Sequence, residues 1–127
     1  MNAIDIINQL GKSNFDTPSE IDSFVQSALA SKAVDVMFVN KALEALTAKG
    51  AAANPMIYRK RAQAFGRLAE TVVDVSLFST YTRAFKVCDP ALRPVLVQLL
   101  PKVRDVAKYA EVQALMKIVT RVLDQET

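Results

Sequence analysis

The side chains best suited to catalysis are scarce in this sequence. It contains no histidine, the commonest general base and metal ligand, and a single cysteine, Cys88. One thiol without an imidazole cannot form an internal disulfide or a zinc site of the usual kind. Asp16, Glu20 and Asp22 form the one local acidic cluster, and we expect them at the first turn of a surface helix, where negative charge complements the helix dipole. These residue types predict a protein that is not an enzyme and needs no metal, cofactor or small-molecule substrate.

Three further positions have both a structural and a chemical interpretation. Gly11-Lys12-Ser13 matches the end of a phosphate-binding loop, but Ile6 occupies the position where that motif needs its first glycine. We therefore predict the end of a short helix there. Cys88 falls on the apolar side of its helix and is expected to be buried and inert, the alternative being a reactive thiol. Phe15 is expected to fold back onto the following helix, the alternative being an exposed binding anchor.

Charge is distributed unevenly along the chain. The net charge of +3 combines an acidic start with a basic body: residues 1–48 hold three lysines against six acidic side chains, whereas residues 49–121 hold thirteen basic side chains against five acidic ones. Such an asymmetry is typical of a protein that meets a polyanion. The alternative is a charged but merely solvated set of helix surfaces.

The densest group of basic residues predicts a ridge that contacts phosphates. Arg59, Gln63 and Arg67 share one face of a predicted helix, and basic residues on the next helix would lie alongside if the two pack antiparallel. Tyr58, Tyr81 and Tyr109 are the candidates for stacking on bases. The predicted nucleic-acid-binding residues are Arg59, Lys60, Arg61, Arg67, Arg83 and Lys86.

The elements that would position these residues are helices. Thr17, Asp35, Asn54, Asp74 and Asp89 are cap residues followed by apolar side chains at helical spacing, and they are 18, 19, 20 and 15 residues apart. A leading helix over residues 3–10 and a final one over residues 110–123 complete the set. Residues 72–75 are β-branched in part and are the one alternative strand. We predict a single all-α domain over residues 1–127, with seven or eight short antiparallel helices.

Two arrangements of these helices fit the pattern, a helical bundle and stacked helix pairs. Taken in pairs, the caps define a unit of about 35–39 residues, which is a typical length for two-helix repeats. Residues 89–119 resemble HEAT-type helical repeats, through Leu92-Arg93-Pro94-Val95-Leu96, Leu99-Leu100-Pro101 and then Val103-Arg104 with Ala107. The resemblance implies a scaffold that binds protein or nucleic acid along a concave face and has no chemistry of its own.

The apolar content predicts that part of the surface is covered by another molecule. Apolar residues make up 51% of the chain and the mean hydropathy is +0.16. The final helix has apolar residues on more than one narrow face and is the expected docking element. The predicted protein-interface residues are Leu115, Met116, Val119 and Val122. The leading hypothesis is an interaction or scaffold domain of a larger assembly, with a protein partner or a second copy; the alternative is a nucleic-acid-binding domain, with RNA preferred to DNA.

Location is constrained only by absences in the sequence. The longest stretches without a charged residue, 23–31 and 50–58, have nine residues, whereas a membrane-spanning helix needs about 20. The first residues lack the basic region and apolar run of a secretory signal. We expect no membrane association and an intracellular protein, cytoplasmic by default, with nucleus and organelles left open.

Overall fold

The computed structural model describes residues 2–104, together with residues 117, 120 and 121. Over residues 2–104 the chain forms six α-helices and no strand, which confirms the all-α prediction. The helices are α1 (Ala3–Lys12), α2 (Pro18–Ala30), α3 (Val36–Leu46), α4 (Pro55–Ala69), α5 (Ser76–Val87) and α6 (Arg93–Arg104). This part of the chain thus holds six of the seven or eight helices predicted. The predicted final helix over residues 110–123 lies outside the described residues.

Three of the predicted cap residues begin helices as expected. The side chains of Thr17, Asp35 and Asn54 accept hydrogen bonds from the amides three residues ahead, at 3.4, 2.9 and 3.2 Å. The Glu20 carboxylate completes the first of these caps, although it accepts from the Asp16 amide, at 2.6 Å, rather than from the amide of the cap residue. Local side-chain chemistry therefore fixes where α2, α3 and α4 start.

The predictions of Asp74 and Asp89 as cap residues were wrong by one and three residues, respectively. Each aspartate accepts from the amide two residues ahead, Asp74 from Ser76 and Asp89 from Ala91, both at 2.9 Å. A bond to the second amide closes a turn rather than capping a helix, so α5 and α6 begin only after that turn. The Ser76 hydroxyl also donates to Asp74, and these bonds from the hydroxyl and then the amide lower the pKa of the Asp74 carboxyl.

The helices form two rows. In the odd row α1 packs against α3 and α3 against α5, and in the even row α2 packs against α4 and α4 against α6. Contacts of α1 and α3 with α4, and of α5 with α6, join the rows. Because the connections are only five to eight residues long, consecutive helices reverse direction and the helices within one row run the same way.

The core lies between the two rows, and aromatic rings are its bulkiest side chains. Tyr58, Tyr81, Phe38, Phe65 and Phe85 are the bulkiest side chains that are fully buried, and no charged side chain of the described residues is buried. The Tyr58 hydroxyl donates to the Leu46 carbonyl at 2.8 Å. Buried aromatic rings supply much of the apolar surface that a domain of this size removes from water.

Phe15 and Cys88 both join this core, as predicted. Phe15 is 3% exposed and its ring meets Phe24 of α2 edge-on, with centroids 5.4 Å apart, so it is not an exposed anchor. Cys88 is buried, and burial raises the pKa of its thiol, although Arg93 beside it acts in the opposite direction. Gly11 lies in the last turn of α1, one residue inside the helix end.

Candidate functional site

A groove of about 820 Å³ lies between α4 and α6 of the even row. Arg59, Gln63 and Arg67 line it from α4, as their shared helix face predicts. The opposite wall consists of Ala91, Pro94, Val95, Gln98, Leu99 and Lys102. We call this gap the α4/α6 groove. We call its apolar lining residues the floor: Pro55, Pro90, Ala91, Pro94, Val95 and Leu99. We call its charged lining residues the rim: Arg59, Arg67, Glu70, Asp89 and Lys102. Apolar surface beside mixed polar and charged groups is typical of protein interfaces.

Gly66 explains why the two helices meet closely at one point and leave a groove beside it. A Cβ atom at this position would lie 2.8 Å from Cγ1 of Val95, closer than real carbon atoms approach. The absence of a side chain therefore allows α6 to approach the backbone of α4. An isolated glycine inside a helix usually has such a packing reason, so the sequence could have indicated a close contact at this point of α4, although not the helix that makes it.

Three basic side chains line the groove, and two of them are paired at the surface. The guanidinium of Arg67 forms an ion pair with Asp22 of α2, and Lys102 Nζ lies 3.7 Å from a Glu70 carboxylate oxygen. All four of these side chains are about half exposed, and such surface pairs contribute little to stability. Arg59 has no ion-pair partner within residues 2–104. The rim thus holds one available cation and two that can change partner at small cost.

The predicted basic ridge is divided between different parts of the surface. Arg59 and Arg67 lie together in the α4/α6 groove, whereas Lys60 is on α4 outside the groove lining. Arg61 faces the other way, and its Nε donates to the Ser13 carbonyl at 2.9 Å, which ties α4 to the end of α1.

The two predicted residues on α5 are separated from this group. Arg83 and Lys86 are exposed, but α5 packs against α3 and α6 and is not a main neighbour of α4. The structure therefore brings together two of the six predicted nucleic-acid-binding residues and adds Lys102 to them. Helical periodicity identified the face of α4 correctly, but it contained no information on which helix lies beside it.

The tyrosines named as base-stacking candidates are enclosed by the core. Tyr58 is 1% exposed and Tyr81 is fully buried. Burial is the main cause that raises the pKa of Tyr58 to about 12, and burial likewise raises the pKa of Tyr81. Neither ring can stack on a nucleobase while the domain is folded. Tyr109 and the predicted protein-interface residues, Leu115, Met116, Val119 and Val122, lie outside the described residues.

A second gap lies between α1 and α2 and has a different lining. This α1/α2 cleft has a volume of about 480 Å³, and its walls carry Gln9, Asn14, Ser19, Ser23 and Ser27. Phe15 and Phe24 close its base. Apart from Glu20 its polar groups are uncharged, so the cleft offers hydrogen bonds without a field that selects an ion.

No group of three or more His, Cys, Asp or Glu side chains within the described residues is placed to hold a metal ion. None of the helices described is both long and apolar enough to traverse a bilayer. No protein-family model, curated protein or solved structure matches this chain.

Proposed function

We propose that this chain is a non-enzymatic interaction domain that docks a segment of a partner protein in the α4/α6 groove. The observation that carries the proposal is the groove itself, whose lining runs along α4 from Pro55 to Arg67 and combines apolar side chains with cations between two helices of one row. A helix as long as α4 spans about 22 Å, which is enough to contact several turns of a partner segment.

The architecture supports a scaffold built from stacked helix pairs. The even helices begin at Pro18, Pro55 and Arg93, intervals of 37 and 38 residues, and each carries a proline at its first or second position. We propose that α1–α2, α3–α4 and α5–α6 are three units of a HEAT-like stack. In stacks of this kind the row surface is the binding surface, because each unit contributes one helix to a continuous face.

The lining of the groove favours a protein segment over a nucleic acid. No aromatic side chain lines it for base stacking, and six apolar side chains do: Pro55, Pro90, Ala91, Pro94, Val95 and Leu99. Glu70 and Asp89 also line the gap, so cations and carboxylates lie side by side there. Phosphate-binding surfaces concentrate cations without such carboxylates, whereas protein interfaces combine an apolar centre with a mixed polar rim.

Blocking the groove chemically tests the proposal without changing the core. Random peptides displayed on phage are selected on the immobilised full chain, and their affinities are measured by fluorescence anisotropy. Gln98→Cys places an exposed thiol in the groove for coupling to a bulky maleimide, and Gln26→Cys places one on the outer face of α2 as the matched control. The native thiol of Cys88 is buried and stays unmodified in both variants.

The proposal predicts that the label at position 98 weakens binding of the selected peptides by about tenfold or more, because it fills the apolar floor, while the label at position 26 leaves binding unchanged. Peptide binding that survives the label at position 98 would contradict it. So would failure to select any peptide, combined with tight, salt-sensitive binding of single-stranded RNA.

A further inference from the structure

We infer that the partner segment in the α4/α6 groove is an acidic amphipathic helix, with apolar residues on one side and carboxylates along its flanks. This inference rests on the proposed function and specifies its ligand. Three features of the groove lead to it: the absence of hydrogen-bonding groups on the floor, the placement of the cations, and the field of the surrounding half of the molecule.

The apolar floor requires a ligand that satisfies its own backbone. Pro94, Val95 and Leu99 offer no side-chain donor or acceptor, and the amides of Gln63 and Gln98 could bond only a few backbone groups of an extended peptide. The described residues form no strand whose edge could pair with such a peptide. A helix bonds its own backbone internally and presents apolar side chains every three or four residues, the spacing that suits a helix-lined groove.

The rim places cations where the flanks of that helix would lie. Arg59 is near the start of α4, and Arg67 is near its end, as is Lys102 through its pair with Glu70. Glu70 and Asp89 are the carboxylates of the rim. The pairs Arg67–Asp22 and Lys102–Glu70 are exposed, so a carboxylate of the partner can replace either intramolecular one. Arginine adds directionality, because its guanidinium can hold a carboxylate through two parallel hydrogen bonds.

The charge of the surrounding helices reinforces this preference. Residues 49–104 hold ten basic side chains against three acidic ones, whereas residues 2–48 hold three against six. A groove in the basic half attracts acidic partners at long range and repels basic ones, which affects both the rate of encounter and the choice of partner. The net positive charge of residues 49–104 thus favours an acidic ligand, as do the three cations of the rim.

Designed peptides test the inference directly. The probe is a fluorescein-labelled amphipathic helix of about 16 residues, long enough to span α4, with leucines on one face and glutamates flanking them. Its controls are the same peptide with lysines in place of glutamates and a scrambled glutamate peptide of identical composition. Anisotropy is measured with the full chain at about 50 and 200 mM salt, the range over which screening of exposed charges changes most.

Two charge reversals provide the decisive comparison. Arg59→Glu changes the groove, and Arg83→Glu makes the same change of net charge on α5, outside it. We expect the glutamate helix to bind, the lysine and scrambled peptides to bind at least about tenfold more weakly, and Arg59→Glu to weaken binding about tenfold while Arg83→Glu changes it less than about twofold.

Each contrary outcome identifies what fails. Equal weakening by Arg59→Glu and Arg83→Glu, or equal binding of the scrambled peptide, would mean that net charge alone attracts the probe and would overturn the inference. Neutral or basic peptides that are selected on the chain and displaced by the label at position 98 would overturn it too, but would leave the groove as a docking site. Single-stranded RNA that binds more tightly than the glutamate helix and loses affinity in Arg59→Glu would replace it with a nucleic-acid ligand.

Discussion

The α1/α2 cleft and the α4/α6 groove are both gaps between two α-helices. One contains an added aromatic side chain at its base, and the other adjoins a position that has no side chain. Between α1 and α2 a whole aromatic side chain, Phe15, enters from the connecting loop and fills the space against Phe24. Between α4 and α6 a side chain is missing at Gly66, and Val95 occupies the space that it would need. At the first gap an aromatic ring lies between the two helices, and at the second the missing side chain lets the two helices touch.

The residues that line the two gaps also differ in chemistry. Serine hydroxyls and amides dominate the α1/α2 cleft, whereas the α4/α6 groove has an apolar floor and three basic side chains. Volume alone therefore does not identify a binding site in this protein. The chemistry of the lining does, since an apolar surface gains free energy on leaving water and the cations restrict which ligand achieves that gain.

Removing the Phe15 ring should have the largest effect on stability. Phe15→Ala is expected to lower the free energy of unfolding by about 3–5 kcal/mol, because it leaves a cavity against Phe24. The backbone at Phe15 has φ of +48°, which glycine adopts more readily than alanine. Phe15→Gly should therefore be more stable than Phe15→Ala by about 1 kcal/mol, the reverse of the usual order. Urea unfolding followed by circular dichroism measures both variants.

The conservative variant Phe15→Leu is the control, since it keeps an apolar side chain in the gap and should cost less than Phe15→Ala. A loss of unfolding free energy below about 1 kcal/mol for Phe15→Ala would show that the ring does not fill the space between α1 and α2. The contrast between the two gaps would then be wrong.

Glycine-to-alanine substitutions should have opposite effects on the free energy of unfolding at Gly11 and Gly66. Gly11 lies in the last turn of α1, and a methyl group added there would meet no other atom within 4 Å. Gly11→Ala should therefore stabilise the domain by about 0.5–1 kcal/mol through helix propensity. Gly66→Ala should instead destabilise it by about 1–2 kcal/mol, because the new methyl group overlaps Val95 and a valine in a helix has little rotamer freedom.

The double variant isolates the cause. In a Val95→Ala background the overlap is removed, and Gly66→Ala should become neutral or stabilising when unfolding is measured in urea. If Gly66→Ala stabilises the native background as much as Gly11→Ala does, the close approach of α4 and α6 at this point is wrong.

Removing Asp22 should have the smallest effect on stability and should separate folding from binding. Asp22→Ala deletes one exposed ion pair between α2 and α4 and is expected to cost less than about 1 kcal/mol. It also releases Arg67 for a ligand, so the glutamate helix should bind about two- to threefold more tightly when its anisotropy is measured. Asp16→Ala, which removes a nearby acidic residue outside this ion pair, is the matched control and should change the affinity less. Weaker binding by Asp22→Ala would contradict a role for Arg67 in the rim.

The features predicted correctly from the sequence depend on residues that are close along the chain. The caps at Thr17, Asp35 and Asn54 are bonds between a side chain and an amide three residues away. The rings of Phe15 and Phe24, which contact each other, are nine residues apart in the sequence. The same reasoning failed at Asp74 and Asp89 because an aspartate can bond the second or the third amide ahead, and the residue type does not decide between them.

The candidate site depended on contacts between distant parts of the chain. Periodicity placed Arg59 and Arg67 on one face of α4, whereas the density of basic residues grouped Arg61 with them. Neither pattern could show that Ser13 would accept a hydrogen bond from Arg61. Periodicity also could not place Lys102 across the groove, which follows from the order of helices in the even row. The apolar floor was missed for the same reason.

The most direct test of the central claim is to map the bound glutamate helix by NMR. Amide resonances of the 15N-labelled full chain are followed while the peptide is added, and the two gaps are compared in one experiment. The account predicts that shifts concentrate at Arg59, Gln63, Gly66 and Gln98, and that Ser23 in the α1/α2 cleft does not respond. Shifts centred on the α1/α2 cleft, or spread over all basic helix surfaces without a maximum at the α4/α6 groove, would contradict it.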